Sequence, residues 1–119
     1  MIVNITFEHH WGYRDLCFTK TFNLPMAPFF GLTILDEDLD GYHEMQIDIE
    51  THDYQDAFIM WRPQTETFEV TIRKNWGKFG VTQKHINETI KQFNDLNWVS
   101  LNSVVEVTEM LNWAKENGK

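Results

Sequence analysis

Between Glu44 and Trp76 three strand-like runs follow one another so closely that an antiparallel sheet is the simplest fold that accommodates them. In EMQIDIE, Met45, Ile47 and Ile49 alternate with Glu44, Gln46, Asp48 and Glu50, a period of two that sends apolar side chains to one face and acids to the other. Phe68, Val70 and Ile72 alternate in the same way with Glu69, Thr71 and Arg73. The run between them, Ala57 to Trp61, is apolar at every position and reads as a strand covered on both faces. Pro63-Gln64-Thr65-Glu66 supplies a turn, because proline presets a turn φ and cannot donate to a ladder. These runs are expected to be the middle of the sheet.

Upstream, Val3, Ile5 and Phe7 share one parity and predict a first strand, and Leu16, Phe18, Phe22 and Leu24 predict its return partner over residues 14 to 24. Lys20 falls on that apolar parity and fits best near an edge. Pro25 and Pro28 end the hairpin. Phe29 to Leu35 is apolar on both parities and reads as another strand, with Gly31 marking a bulge or a close backbone approach. Asp36 to His43 is a polar loop with an Asp40-Gly41 turn signal.

Two helices close the chain. Thr82 is placed to cap the first, with Val81 stapled onto Ile86 and an apolar stripe of Ile86, Ile90 and Phe93. Asn94 to Asn97 ends it and Trp98-Val99 forms a short extended link. Ser103 and Glu106 have capping-box spacing, so the second helix runs to about Asn117 before Gly118, with Val104, Val107, Leu111 and Ala114 as its stripe. Strands followed by helices, without βαβ alternation, predict one α+β domain over residues 1–119: an antiparallel sheet of about five or six strands in residues 2–74, with both helices packed on one face. The doubly apolar runs leave the second face needing cover, from curling of the sheet or from a partner.

Cysteine usage and hydropathy bound the setting. Cys17 is a lone cysteine, so no internal disulfide is possible, and no stretch has the length of a spanning helix or the pattern of a signal peptide. A cytoplasmic protein without membrane association is expected. Ten Lys and Arg against eighteen Asp and Glu give a net charge of −8, which opposes direct nucleic-acid binding. The charges are also segregated along the chain. Nine acids (Asp36, Glu37, Asp38, Asp40, Glu44, Asp48, Glu50, Asp53, Asp56) lie in a stretch without Lys or Arg, whereas Arg73, Lys74, Lys78 and Lys84 lie in one without acids.

Several constellations invite chemistry. Asp36, Asp38 and Asp40 with Gly41 match the first half of a calcium loop, but the position of the bidentate Glu holds Ile47; the other reading is an acidic β-turn with hydrated carboxylates. No cofactor is expected, calcium being the alternative. Arg73, Lys74, Trp76 and Lys78, just ahead of a helix, suit an anion or a stacked base, against a plain solvated connection. Of the five histidines, His9 and His10 point to opposite faces, His43 and His52 bracket one strand, and His85 faces away from the Ile86 stripe, so surface or loop positions are expected. Cys17 lacks a base beside it and reads as a small buried hydrophobe.

Without catalytic grammar, the charge segregation favours a non-enzymatic binding protein whose nine-acid patch docks on a basic protein, nucleic-acid binders included, in the manner of an inhibitor, immunity protein or nucleic-acid mimic. Two alternatives come from other classes. One is a small-ligand or cation-binding domain using the Asp36 to Gly41 loop or the Asn75 to Gly80 segment; the other is a self-associating subunit in which acidic and basic segments of two copies meet.

Overall fold

A computed structural model describes residues 1–11, 14–38, 41–47, 55–76 and 81–117. Its centre is the first strand, β1 (Ile2–His10), which pairs antiparallel with β2 (Asp15–Asn23) on one side. Further along the chain come β3 (Thr33–Asp38), β4 (Gly41–Gln46), β5 (Gln55–Arg62), β6 (Thr67–Asn75), α1 (Gln83–Asp95), β7 (Val99–Ser100) and α2 (Val104–Asn117). The strands divide between a five-stranded sheet in the order β5-β6-β1-β2-β7 and a separate two-stranded sheet of β3 and β4. The class is α+β, with both helices following the last long strand.

The expected middle of the sheet is thus displaced. Of the run beginning at Glu44, residues 44 to 46 belong to the small hairpin and 48 to 50 lie outside the described residues; β1 takes the central place because it also pairs with β6, in parallel, from Ile2 opposite Thr67 to His10 opposite Asn75. That pairing makes the large sheet mixed. Alternation specifies which face a residue occupies, but says nothing about which strand lies beside it.

The inner face carries Val3, Ile5 and Phe7 from β1, Leu16 and Phe18 from β2, Ala57 from β5, and Val70 and Ile72 from β6, all buried. α1 lies on this face. Its Phe93 ring stacks on Phe18 at 4.6 Å and tilts against Phe7 at 5.4 Å. Ile34, Met45 and Ile47 from the small hairpin join the same core. Over β1, β2 and β6 the outer face is mostly polar, with Asn4, Thr6 and Glu8 beside Thr19, Thr21, Glu69, Thr71 and Arg73, and the apolar side chains of β5 stand exposed at its edge. The two doubly apolar runs are not strands covered on both faces. Residues 29 to 35 are not one strand: Leu32 donates to the Phe29 carbonyl, Gly31 has φ 98°, and the strand starts only at Thr33. Residues 57 to 61 lie in β5, an edge strand that buries Ala57 and leaves Phe58 and Met60 in solvent.

The helix ends behave as their residues dictate. The Thr82 hydroxyl accepts from the His85 N–H at 3.1 Å, and Val81 and Ile86 are both buried beside that cap. At the other end Asn97 takes φ 66°, Asn97 N–H bonds to the Asn94 carbonyl, and Trp98 N–H bonds to the Phe93 carbonyl. This is a Schellman closure with its hydrophobic contact, the Phe93 and Trp98 rings meeting edge-on at 5.1 Å. Ser103 and Glu106 form the reciprocal capping box, 3.0 and 3.1 Å. α2 leans on α1, where the Gln83 side chain donates to the Leu111 carbonyl. Its buried residues are Met110 and Ala114, whereas Val104, expected to open the stripe, is 83% exposed. Among the described residues no helix is long and apolar enough to cross a membrane.

Candidate functional site

On three strands the buried parity ends in a polar residue. His9 follows Val3, Ile5 and Phe7 on β1; Lys74 follows Phe68, Val70 and Ile72 on β6; His43 precedes Met45 and Ile47 at the start of β4. His9 and Lys74 are register partners, so two of these side chains stand next to each other at one end of the inner face. α1 lays a polar stripe over that end, His85, Thr89 and Gln92, beside the apolar stripe that holds it to the sheet.

Between them is a partly open cavity of about 340 Å³. Phe7, His9 and Phe93 form its buried floor, His43, Lys74 and His85 its half-buried sides, and Glu44, Trp76, Glu88 and Gln92 its exposed mouth. The imidazoles are held by rings. His9 stacks on Trp11 at 5.6 Å and on Trp76 at 6.2 Å, His85 stands edge-on to Trp76 at 4.9 Å, and His43 lies 5.0 Å from Phe93. The Lys74 ammonium sits over the Trp76 ring, 4.3 Å from its centroid.

The hydrogen bonds at the cavity identify a tautomer. Trp76 Nε1–H donates to His9 Nδ1 at 3.1 Å, and an indole nitrogen can only donate. A neutral His9 therefore carries its proton on Nε2, and that buried N–H meets no acceptor; His43 Nδ1 is likewise buried without a partner. Each such orphan costs about 1–3 kcal/mol. Burial is the main cause holding His9 neutral, taking its pKa from 6.5 down to about 3, with His43, Lys74 and His85 adding repulsion. Burial also lowers the pKa of His43, against the pull of Asp36, and that of His85, against the pull of Glu88.

The expectation of surface and loop histidines is therefore corrected for three of the five. His9, His43 and His85 converge on one cavity; His10 points outward to Asp15, and His52 lies outside the described residues. Sequence reasoning could have found His9 and His43 by extending the buried parity by one step. Of the anion-binding candidates, Lys74 and Trp76 line the cavity, Arg73 points to the other face and pairs with Glu8, and Lys78 lies outside the described residues.

The acidic segment is only partly described. Asp40, Asp48, Glu50 and Asp53, and the side chain of Asp38, lie outside the described residues. Glu37 and Glu44 are exposed. Asp56 is half-buried opposite Arg73, and Asp36 is buried. The Asp36 carboxylate accepts from Lys20 at 2.8 Å and from Trp98 Nε1–H at 2.7 Å, while Lys20 also donates to the Leu96 carbonyl at 2.6 Å. Asp36 is thus a structural ion pair, available neither to a docking partner nor to a calcium loop, because it falls on the inward parity of β3 beside Ile34. Among the described residues no group of three His, Cys, Asp or Glu side chains is placed to share a metal ion. Cys17 is half-buried with its pKa pushed up to about 12, by burial first and then by nearby carboxylates, which leaves it a poor nucleophile at neutral pH.

Comparison with protein-family models, with curated proteins and with solved structures gives no match for this chain.

Proposed function

We propose that this protein binds a small organic acid in the cavity between β1, β4, β6 and α1. The observation that carries the reading is the His9 Nε2–H, a buried donor oriented by Trp76 and left without an acceptor. A carboxylate or phosphate oxygen would satisfy it, with Lys74 as a second, charged donor. Phe7, Trp76 and Phe93 offer apolar walls for the body of such a ligand, and the volume suits a molecule at the small end of what pockets hold, roughly 300–1,000 Å³. Glu44 and Glu88 at the mouth suit a cationic group on the same ligand, so amino-bearing acids should bind better than plain ones. Binding requires no covalent step.

His9 stays neutral as the Nε2–H donor, while an anion in the cavity favours the charged forms of His43 and His85 against the burial that lowers their pKa, so binding takes up protons at those two groups and tightens as pH falls. The test is a thermal-shift panel of aromatic and aliphatic monocarboxylates, amino acids and inorganic phosphate, followed by calorimetry in buffers of different ionisation enthalpy. A ligand at a hundredfold excess over Kd should stabilise the protein by about 2.7 kcal/mol, and His9→Phe should abolish the shift while leaving the fold intact. The reading fails if no member of the panel shifts the transition, or if His9→Phe responds as the parent does.

A second reading, docking on a basic protein, is supported by Glu37 and Glu44, which project from the outward side of the β3–β4 hairpin around the exposed Leu35. Glu37→Lys, away from the cavity, should weaken salt-sensitive binding to a cationic partner and leave the cavity ligand unaffected, whereas Glu44→Lys should disturb both.

A further inference from the structure

The two edges of the large sheet are finished differently. At one end β7 is two residues long and gives way at once to Leu101, whose N–H bonds back to the Cys17 carbonyl. A stub of this length offers little backbone for a neighbour to pair with. At the other end β5 runs for eight residues, and among the described residues no strand pairs with its free side. It carries Asp56, Phe58, Met60 and Arg62 on its outer side, with no proline until position 63. Phe58 is 56% exposed and Met60 57%, so the edge has open backbone groups and a row of apolar side chains together. Natural edges are normally protected from self-pairing by charge, proline or shortness, and β5 has charge only at its two ends.

The order of those residues selects the partner. We infer that two copies of this chain associate by antiparallel pairing of their β5 strands about a two-fold axis at Ile59. In that register Asp56 of one copy faces Arg62 of the other, Phe58 faces Met60, and Ile59 faces itself. The strand is complementary to its own reverse: an acid at one end, a base at the other and matched apolar residues between. Shifting the pairing by two residues breaks both charge pairs, and a parallel arrangement places like charges together. The resulting ten-stranded sheet leaves both cavities open, because they lie beyond β6 at the end marked by His9 and Lys74.

Two charge reversals test the register, since each spoils its own homodimer and together they restore a complementary pair. Asp56→Arg alone sets Arg against Arg62, and Arg62→Asp alone sets Asp against Asp56. Mixed, the two variants recover both opposite-charge contacts. Sedimentation velocity over a hundredfold concentration range should show the parent at twice the chain mass, each variant alone at the chain mass, and the equimolar mixture again at twice the mass. As an independent measurement, Ile59→Cys in a Cys17→Ala background should form an intermolecular disulfide under mild oxidation, because directly opposed residues bring Cα atoms within bridging distance. A monomeric parent at every concentration overturns the proposal, as does a parent dimer that survives both single reversals. A mixture that stays monomeric, with no cross-link at position 59, overturns the register.

Discussion

Two polar clusters are buried under the same sheet face, one closed and one open. In the first, Lys20, Asp36 and Trp98 satisfy one another: Asp36 accepts from the ammonium and the indole through different oxygens, and the ammonium has a carbonyl besides. In the second, His9 receives a bond from Trp76 on one nitrogen and meets nothing on the other, and His43 has an orphan nitrogen nearby. Both clusters arise because a polar residue falls on a buried parity. The difference is completeness. A closed network stabilises the fold and has nothing left to offer, whereas an open one leaves buried polar atoms unpaired at a cost to stability.

That contrast is broken most directly by removing one residue from each cluster. Asp36→Ala leaves the Lys20 ammonium largely buried without its counter-ion and should lower unfolding stability by about 3–5 kcal/mol, read as a drop in the denaturation midpoint at unchanged m. His9→Phe at pH 7 should stay within about 1 kcal/mol of the parent, since a ring of similar size replaces one whose second nitrogen is unpaired. Equal costs for the two substitutions would remove the distinction.

Acid sharpens it next. His9 has a folded pKa of about 3, below its unfolded value, so the unfolded chain binds the proton first as pH falls. The penalty is absent above about pH 6.5, grows as pH drops through the window, and saturates near the folded pKa. Between pH 6.5 and 4 it should amount to roughly 3 kcal/mol, at about 1.4 kcal/mol per unit. Carboxylates also titrate in this range, so the quantity to measure is the difference between parent and His9→Phe. The variant should have the flatter profile; parallel profiles would show that His9 is not held neutral by burial.

The smallest expected effect compares the two indole donors. Trp98→Phe removes a bond to a buried carboxylate and should cost about 1.5–3 kcal/mol. Trp76→Phe removes a bond made at an exposed mouth and should cost less than about 1 kcal/mol, while weakening ligand binding because the His9 tautomer is no longer enforced. Calorimetric unfolding of both variants, alongside binding to the parent's ligand, separates the roles.

Much of the fold was legible in local signals. The β1–β2 hairpin, the turn after Arg62, the Thr82 cap, the Ser103–Glu106 box and the break at Asn94 to Asn97 all stand where the residues put them. The site was half legible. Lys74 and Trp76 could be marked as candidates because cations and aromatics precede a helix, but His9, His43 and His85 are far apart in the chain and read separately as surface residues. Asp36 was misread for a related reason: a carboxylate in an acidic run looks solvated until the lysine and tryptophan that surround it are brought in from β2 and from the end of α1.

What the residues determined by themselves was the set of elements, their faces and their caps, since periodicity and side-chain bonding within a few positions are local properties of the chain. Only the tertiary structure decided that β1 lies between β2 and β6, that residues 44 to 46 pair outside the main sheet, and that three imidazoles meet over Phe7. Pairing partners are chosen by the free energy of closing long loops over a shared core, and nothing in the alternation of a single strand records which neighbour wins.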